Sequence, residues 1–234
     1  MNQIITIASK EFKDYFISPI AYIVIALFLV VTGWFFFSTF FIFDRADMRS
    51  FFSLLPTIFA FVIPAVTMRL FSEEMNVGSY ETLLTMPVSF ADIALGKFAA
   101  AVLFTGCMLL PTVSYAVFIA FVGDIDMGPV AGGYIGAILL GGAYCSVGLF
   151  ASSLTRNQIV AFIIGAAICF GLTILDKVLF FVPGQLAGIV GFLGSETHFQ
   201  SIAKGVIDSR DIVYFISVMV VALFGTNLVM QEKN

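Results

Sequence analysis

Residues 71–88 read FSEEMNVGSYETLLTMPV, a polar stretch between two long apolar runs. The stretch holds three carboxylates, a glycine and a Leu-Leu pair, which is too polar a composition for a segment that crosses a bilayer. A membrane protein needs such a segment on one side of the bilayer when a partner on that side must bind to it. The stretch therefore predicts a membrane protein with one polar segment specialised for contact.

The composition supports this interpretation. Of the 234 residues, 60% are hydrophobic and 11% are charged, and the mean hydropathy is +1.07. A soluble domain could not cover so much apolar surface with so little charge, so the solvent must be lipid. A net charge of −4 without a cluster of Lys and Arg argues against nucleic acid as a partner.

The cysteines and the N-terminus carry little chemistry. Cys107, Cys145 and Cys169 lie in different apolar runs, without CxxC spacing or a neighbouring His. This pattern is typical of buried cysteines that act as small hydrophobes, and it implies neither a disulfide framework nor a metal site. The chain begins with an amphipathic stretch, so we expect no cleaved signal peptide.

Six apolar runs are long enough to cross a membrane as helices. They are Pro19–Phe43, Phe51–Met68, Phe98–Val122, Val130–Ser152, Ile159–Val182 and Ile212–Met230. An all-α polytopic protein with a membrane domain over 19–230 and a short tail over 231–234 is predicted. An even number of spans places both termini on the same side.

The distribution of basic residues favours cytoplasmic termini. The inner flanks would then carry Lys10, Lys13, Arg69, Lys97, Arg156 and Lys233, and the outer flanks Arg45, Arg49, Lys204 and Arg210. The bias is small, but two of the outer arginines alternate with aspartates and the other two outer cations lie in the longest loop. We therefore expect both termini and the 69–92 loop to be cytoplasmic.

Residues 1–18 have the pattern of an interfacial amphipathic helix. One face carries Ile4, Ile5, Ala8, Phe12 and Phe16, and the other carries Lys10, Glu11, Lys13 and Asp14. Pro19 should end this helix, because the residue before a proline avoids helical angles. The alternative is a charged flank to the first span.

The loop 69–92 is predicted to contain two short helices. Ser72 is a candidate cap for the first, with Glu73 and Glu74 in its first turn. A turn at Gly78-Ser79 would lead to a second helix over 80–85, closed by Pro87. Leu83 and Leu84 would form an apolar ridge beside Glu81. The loop could equally be an ordinary solvated connector.

The pattern of this loop resembles the segment after the second span in ABC-2-type permeases, the membrane subunits of ATP-binding-cassette exporters. The matching positions are Glu74, Gly78, Ser79, Glu81, Leu83, Leu84, Thr85, Pro87 and Val88, although the family usually has Thr where this chain has Ser79. The chain looks similar to the gliding-motility and copper-enzyme-maturation branch, and the resemblance extends over the whole chain.

The resemblance implies a cytoplasmic coupling helix that docks into a separate ATPase subunit. The residues carried over to this contact are Glu73, Glu74, Gly78, Ser79, Glu81, Leu83, Leu84 and Pro87. ATP and Mg would bind the partner, because this chain has no Gly-x-x-x-x-Gly-Lys-Ser/Thr phosphate loop and no catalytic constellation. The chain is therefore expected to be a non-enzymatic subunit of an ATP-hydrolysing complex.

The resemblance also implies a cellular location and partner proteins. We expect a bacterial inner-membrane dimer with a second copy of the chain or a related permease, because six spans are too few to enclose a pathway. An auxiliary membrane protein with a large outer domain is a further expected partner. The complex would export a substrate or transmit a mechanical change across the membrane.

The outer loop 183–211 is too long for a structureless connector. Residues 186–193 are apolar and could dip into the outer leaflet, and Ser195 could cap a following amphipathic helix. Phe199, Ile202 and Val206 would then line the face of an outer gate. ABC-2 permeases are similar in having short re-entrant or interfacial helices here, whereas the alternative is a loop that rests on the bilayer.

The charges of the spans define the competing hypotheses. Asp176 and Lys177 lie near the outer end of the fifth span, where a function in transport competes with snorkelling to the surface. Adjacent residues of a helix point in different directions, so each should find its own partner. A secondary transporter would need further carboxylates deep in the spans, which the sequence lacks, and a non-transporting scaffold is the other alternative.

His198 is predicted to be a capped loop histidine and not a metal ligand.

Overall fold

The apolar runs form helices in the computed structural model, which describes residues 3–43, 47–78, 89–123, 126–178, 191–206 and 208–233. No strand occurs in these ranges, and six helical segments within them are long and apolar enough to cross a membrane. The prediction of an all-α fold with six spans is therefore confirmed.

The helices follow one another in simple order. They are α1 (Gln3–Ile17), α2 (Pro19–Phe43), α3 (Arg49–Thr67), α4 (Arg69–Val77), α5 (Phe90–Leu109), α6 (Val113–Val122), α7 (Met127–Leu154), α8 (Gln158–Val178), α9 (Ser195–Ala203) and α10 (Ser209–Glu232). A short 3-10 turn, Leu110–Thr112, joins α5 to α6 at Pro111.

Several span boundaries differ from the sequence pattern. The third span, for example, begins at Phe90 and not at Phe98. The second span does not stop at Met68, because α4 continues α3 almost without a break and brings the helical segment to Val77. The last span runs to Glu232, so residues 231 and 232 belong to α10 and not to a separate tail. Polar residues can extend a helix beyond the bilayer, and hydrophobicity therefore underestimates its length.

The small residues of α7 let it occupy the centre of the bundle, where it packs against α3, α5, α8, α9 and α10. The ring of Phe52 lies where a Cβ of Gly133 would be, and the side chain of Thr67 does the same at Gly148. Tyr144 is completely buried on the same helix. The small residues of α7 thus serve packing inside this chain.

The aromatic residues of the first two spans divide between the core and the outer surface. Phe36 of α2 is buried and stacks on Tyr115 of α6 at 5.1 Å between ring centroids. Phe59 of α3 is also buried, whereas Trp34 is 73% exposed and Phe61 is 51% exposed. One set therefore holds the helices together, and the other faces lipid or a partner.

The N-terminal helix is amphipathic, as predicted, and it is anchored to the bundle. Its residues Ala8 and Tyr15 are buried, and the Tyr15 ring stacks on Phe104 of α5 at 4.8 Å between centroids. Gly96 of α5 has room only for a hydrogen, because Ile7 lies against it. Ile5 remains 65% exposed, so part of the apolar face is available to the lipid.

Candidate coupling site and outer lid

The start of α4 is capped by a hydroxyl from a distant helix. Ser152 of α7 accepts hydrogen bonds from the backbone N–H groups of Phe71 (3.0 Å) and Ser72 (3.1 Å), and it donates to the Met68 carbonyl at 2.7 Å. One hydroxyl thereby satisfies three backbone groups at the junction of α3 and α4. The prediction that Ser72 caps this helix is wrong, because α4 already begins at Arg69 and the hydroxyl of Ser72 donates back to Met68.

A buried lysine ties α4 to two other helices. Lys97 of α5 is 1% exposed, and its ammonium group donates to Glu74 of α4 at 2.7 Å and to Glu11 of α1 at 3.1 Å. It also lies 5.3 Å from the centroid of the Phe71 ring. Buried charges are stable when they are paired in this way, so the three helices are held as a unit. We call Lys97, Glu74 and Glu11 the ion triad.

The sequence did not reveal the ion triad. From the sequence, Lys97 counted only as one of the basic residues of the inner side. Glu11 was predicted on the polar face of α1, although its side chain is only 12% exposed. The available signal was Lys97 itself, a lone cation seven residues into the apolar helix α5. A charge at such a position requires a partner, but the sequence cannot say which carboxylate provides it.

A cleft of about 520 Å³ lies beside the ion triad, between α1 and the junction of α3 with α4. Arg69 borders it, with its guanidinium 5.1 Å from the centroid of the Tyr15 ring and 3.4 Å from the hydroxyl of Ser18. Burial raises the pKa of the Tyr15 phenol above its ordinary value, so the group stays neutral and donates to the Val66 carbonyl at 3.4 Å. Charged side chains and the hydrogen-bonded Tyr15 therefore line the cleft together.

The far end of α4 is exposed. Glu73 and Gly78 face the surroundings, and Gly78 ends the helix with a φ of 82°, a left-handed conformation that glycine adopts readily. Glu74 faces the other way, into the ion triad. The remaining residues predicted for ATPase contact, Ser79, Glu81, Leu83, Leu84 and Pro87, lie outside the described residues.

At the opposite end of the bundle, α9 lies alongside α7. The Ser195 hydroxyl is 2.7 Å from that of Tyr144, while Ile202 lies against Gly136 and Gly132. Twelve helical residues separate Tyr144 from Gly132, which is about 18 Å along α7. Helix α9 therefore extends along the bundle and does not lie flat across its end, which agrees with a re-entrant arrangement. We call α9 the lid helix.

The lid helix buries a shorter face than the sequence predicted. Phe199 and Ile202 are fully buried. Val206, predicted on the same face, is 63% exposed, because the helix ends at Ala203 and Gly205 reverses the chain with a φ of 86°. The candidate gate residues in contact with the core are therefore Phe199 and Ile202.

Both charges near the end of α8 bind the lid helix. The Asp176 carboxylate accepts hydrogen bonds from the backbone N–H (2.9 Å) and the hydroxyl (2.8 Å) of Thr197, and Lys177 lies 3.4 Å from Glu196. The two adjacent charges thus have separate partners. Asp176 caps the first turn of α9, so the prediction that Ser195 has this role is wrong. The Ser195 hydroxyl is instead bound to Tyr144 in the core.

His198 is a buried residue of the lid helix, so its prediction as a loop histidine is wrong. Its Nδ1 lies 2.6 Å from the Asp211 carboxylate of α10, and its Nε2 lies 3.1 Å from the Phe192 carbonyl. Its ring stacks on Tyr214 at 4.2 Å between centroids. In the described part of the chain, no group of three or more His, Cys, Asp or Glu residues is placed to hold a metal ion.

The sequence profile of the ABC-2 family transporter proteins matches residues 5–191. The chain belongs to this family. Among curated proteins, none matches it significantly. An ABC-2 protein is the membrane component, the permease, of an ABC-type transporter, and the family implies an ABC ATPase as its partner.

The family match includes the end of this permease that carries α4, but it stops before the lid helix at the other end. It includes α1 from residue 5 onward, α4, residues 79–88 and all of the ion triad. The lid helix and α10 follow the matched region. The end of the bundle that carries α4 and the ion triad is therefore built from residues that the family profile matches, whereas the lid helix and its His198 contact come from the segment that the match does not reach.

Proposed function

We propose that this permease couples ATP hydrolysis by a separate ATPase subunit to export or to a mechanical change across the membrane. The observation that carries the proposal is the rigid attachment of α4 at the ion triad and at Ser152. The predicted docking residues begin on α4 with Glu73 and Glu74 and continue directly after it with Gly78, Ser79, Glu81, Leu83, Leu84 and Pro87. A force applied there would pass into α1, α5 and α7 together, because their contacts with α4 are buried and hydrogen-bonded.

The surface chemistry next to this segment suits a protein partner. Exposed Glu73 and the charged cleft bordered by Arg69 lie on one end of the bundle. In the proposed complex this end is cytoplasmic, Glu81 pairs with a basic side chain of the ATPase, and Leu83 and Leu84 fill an apolar pocket. ATP and Mg bind that partner. The bacterial inner membrane is the proposed location, with both termini cytoplasmic.

The proposed complex contains two permeases and two ATPase subunits. The second permease is a copy of this chain or a relative, and an auxiliary membrane protein with a large outer domain would complete a complex of the gliding-motility type. ATP-driven closure of the ATPase subunits would draw the two α4 ends together. The lid helices would open or close the opposite end, with Phe199 and Ile202 as gate residues.

The contacts of Asp176 favour an ATP-driven mechanism over secondary transport. A carboxylate that carries protons or ions must exchange its partners during transport. Asp176 instead caps the lid helix through both of its oxygens. Its role in the proposed mechanism is to hold the lid helix on α8.

The test is co-purification in mild detergent with mass spectrometry of the bound chains. An ATPase with a phosphate loop should accompany the wild-type permease, and Glu81→Lys or Leu83→Asp should abolish this association without loss of membrane insertion. Lys13→Glu, a charge reversal at an exposed position of α1 that does not line the cleft, is the control and should leave the ATPase bound. Association that survives both docking substitutions would contradict the proposed docking segment, and a permease without any ATPase would contradict the coupling.

A further inference from the structure

An apolar groove of about 470 Å³ opens between α7, α8 and α10, bordered by Phe192 and Leu193, which precede the lid helix. Its walls include Phe150 of α7, Leu172 of α8, Phe192, and Tyr214 and Val221 of α10. This volume falls in the range of about 300–1,000 Å³ that is usual for binding sites of small organic molecules. It is separate from the cleft beside the ion triad, which lies at the other end of the bundle.

The groove offers hydrocarbon contacts and almost no hydrogen bonds. The Tyr214 hydroxyl donates to the Leu193 carbonyl at 2.7 Å, and the Ser217 hydroxyl donates to the Tyr214 carbonyl at 2.7 Å. Both polar side chains of the wall are therefore satisfied inside the protein. A bound group would gain only apolar contact, which suits an alkyl chain and does not suit a polar solute.

The length of the groove matches one leaflet of a bilayer. Its wall on α10 extends from Tyr214 to Gly225, eleven residues or about 16 Å along a helix. The hydrocarbon core of a bilayer is about 30 Å thick, so the groove accommodates an extended chain over about half of that thickness. The groove begins one turn inside the polar end of α10, where a lipid chain would enter from its headgroup.

An exposed cation stands at this entrance. Arg210 lies four residues, about one turn, before Tyr214 and therefore on the same face of α10. Its side chain is exposed and forms no ion pair with a described residue, and its backbone N–H donates to Asp208 at 3.0 Å. A guanidinium group binds phosphate oxygens well, through parallel hydrogen bonds as well as charge.

We propose that the groove binds one acyl chain of a membrane phospholipid, whose phosphate is bound by Arg210. The apolar wall, its length and the cation at its mouth together match an amphiphile with a phosphate headgroup. A lipid in this position would fill the space between α8 and α10. The proposal is independent of the ATPase partner, because it concerns the opposite end of the permease.

The test is native mass spectrometry of permease taken from bilayers of phosphatidylglycerol and phosphatidylethanolamine, after extended washing in detergent. The wild type should retain one phospholipid per chain. Val221→Trp should fill the groove and remove the lipid, whereas Val220→Trp, a neighbouring exposed position outside the groove wall, should retain it. Arg210→Gln should lower retention about tenfold, because it removes a charge-assisted contact with phosphate, and Lys204→Gln should not.

The proposal is overturned if the washed wild type carries no phospholipid. It is also overturned if Val221→Trp and Val220→Trp retain equal amounts, or if Arg210→Gln has no effect, because the bound molecule would then lack the proposed groove or headgroup contact. Photo-crosslinking from position 221 supplies a second measurement. A crosslink to a protein chain in place of phospholipid would equally refute the assignment.

Discussion

Replacing Lys97 by methionine tests whether the ion triad holds helices α1, α4 and α5 together. Methionine keeps most of the volume of the lysine stem but removes the ammonium group that lies 2.7 Å from Glu74 and 3.1 Å from Glu11. The two carboxylates would then face each other across the vacated position. Helices α1, α4 and α5 would lose the only charge in the described residues that binds all three together.

The expected loss of stability follows from burial. The side chains of Glu11 and Glu74 are only 12% and 16% exposed, so water cannot replace the ammonium group easily. Removal of one partner from a buried ion pair costs about 3–5 kcal/mol. The lower part of this range is expected, because both carboxylates keep some contact with solvent. For a loss of about 3–4 kcal/mol, the melting temperature of a chain of this size should fall by roughly 6–16 °C.

The assay is thermal unfolding of the purified permease in one detergent, followed by fluorescence of a thiol-reactive dye. Lys10→Met removes a lysine that is 64% exposed, and as the control it should cost less than about 1 kcal/mol. The double variant Lys97→Met, Glu74→Gln should recover part of the loss, because it removes one of the two negative charges that would face each other without the ammonium group. Equal melting temperatures of Lys97→Met and Lys10→Met would refute the reasoning.

Two further predictions concern the packing of α7. Ser152→Ala leaves two backbone N–H groups at the start of α4 without their acceptor, and it should destabilise the permease by about 1–3 kcal/mol in the same unfolding assay. Gly133→Ala forces the ring of Phe52 to move and should cost about 1–3 kcal/mol through overpacking, measured as a lower melting temperature.

Each of these substitutions has a control on the same chain. Ser153→Ala removes a hydroxyl that donates only within its own helix, to Phe150, and should cost much less than Ser152→Ala. Gly171→Ala adds a methyl group to open space in α8 and should raise stability by about 0.5–1 kcal/mol. An equal effect of the two serine substitutions, or effects of the same sign for the two glycines, would contradict the packing described.

The sequence predicted part of the candidate site. The glycine turn at Gly78 and the alignment of Phe199 with Ile202 follow from local patterns, and both occur in the structure. The capping roles of Ser72 and Ser195 were wrong, although both helices exist. In each case a nearby hydroxyl was the plausible cap from sequence alone. The folded chain instead uses Ser152 and Asp176, which come from other helices.

The sequence by itself determined the environment and the class of this protein. Six apolar runs require a membrane, amphipathic spacing requires α1, and small residues on α7 require close helix contact. These properties depend on residues near one another in the chain. A family pattern in residues 71–88 then indicated the permease.

Only the tertiary structure decided which polar groups meet. Lys97 and Glu11 are 86 positions apart, and Phe71 and Ser152 are 81 apart. No periodicity encodes such pairs, because each depends on how two helices rotate and cross. In the low-dielectric interior a buried charge or N–H group must find a partner, so the sequence shows that contacts must exist. Which residues satisfy them is fixed by the packing of the bundle.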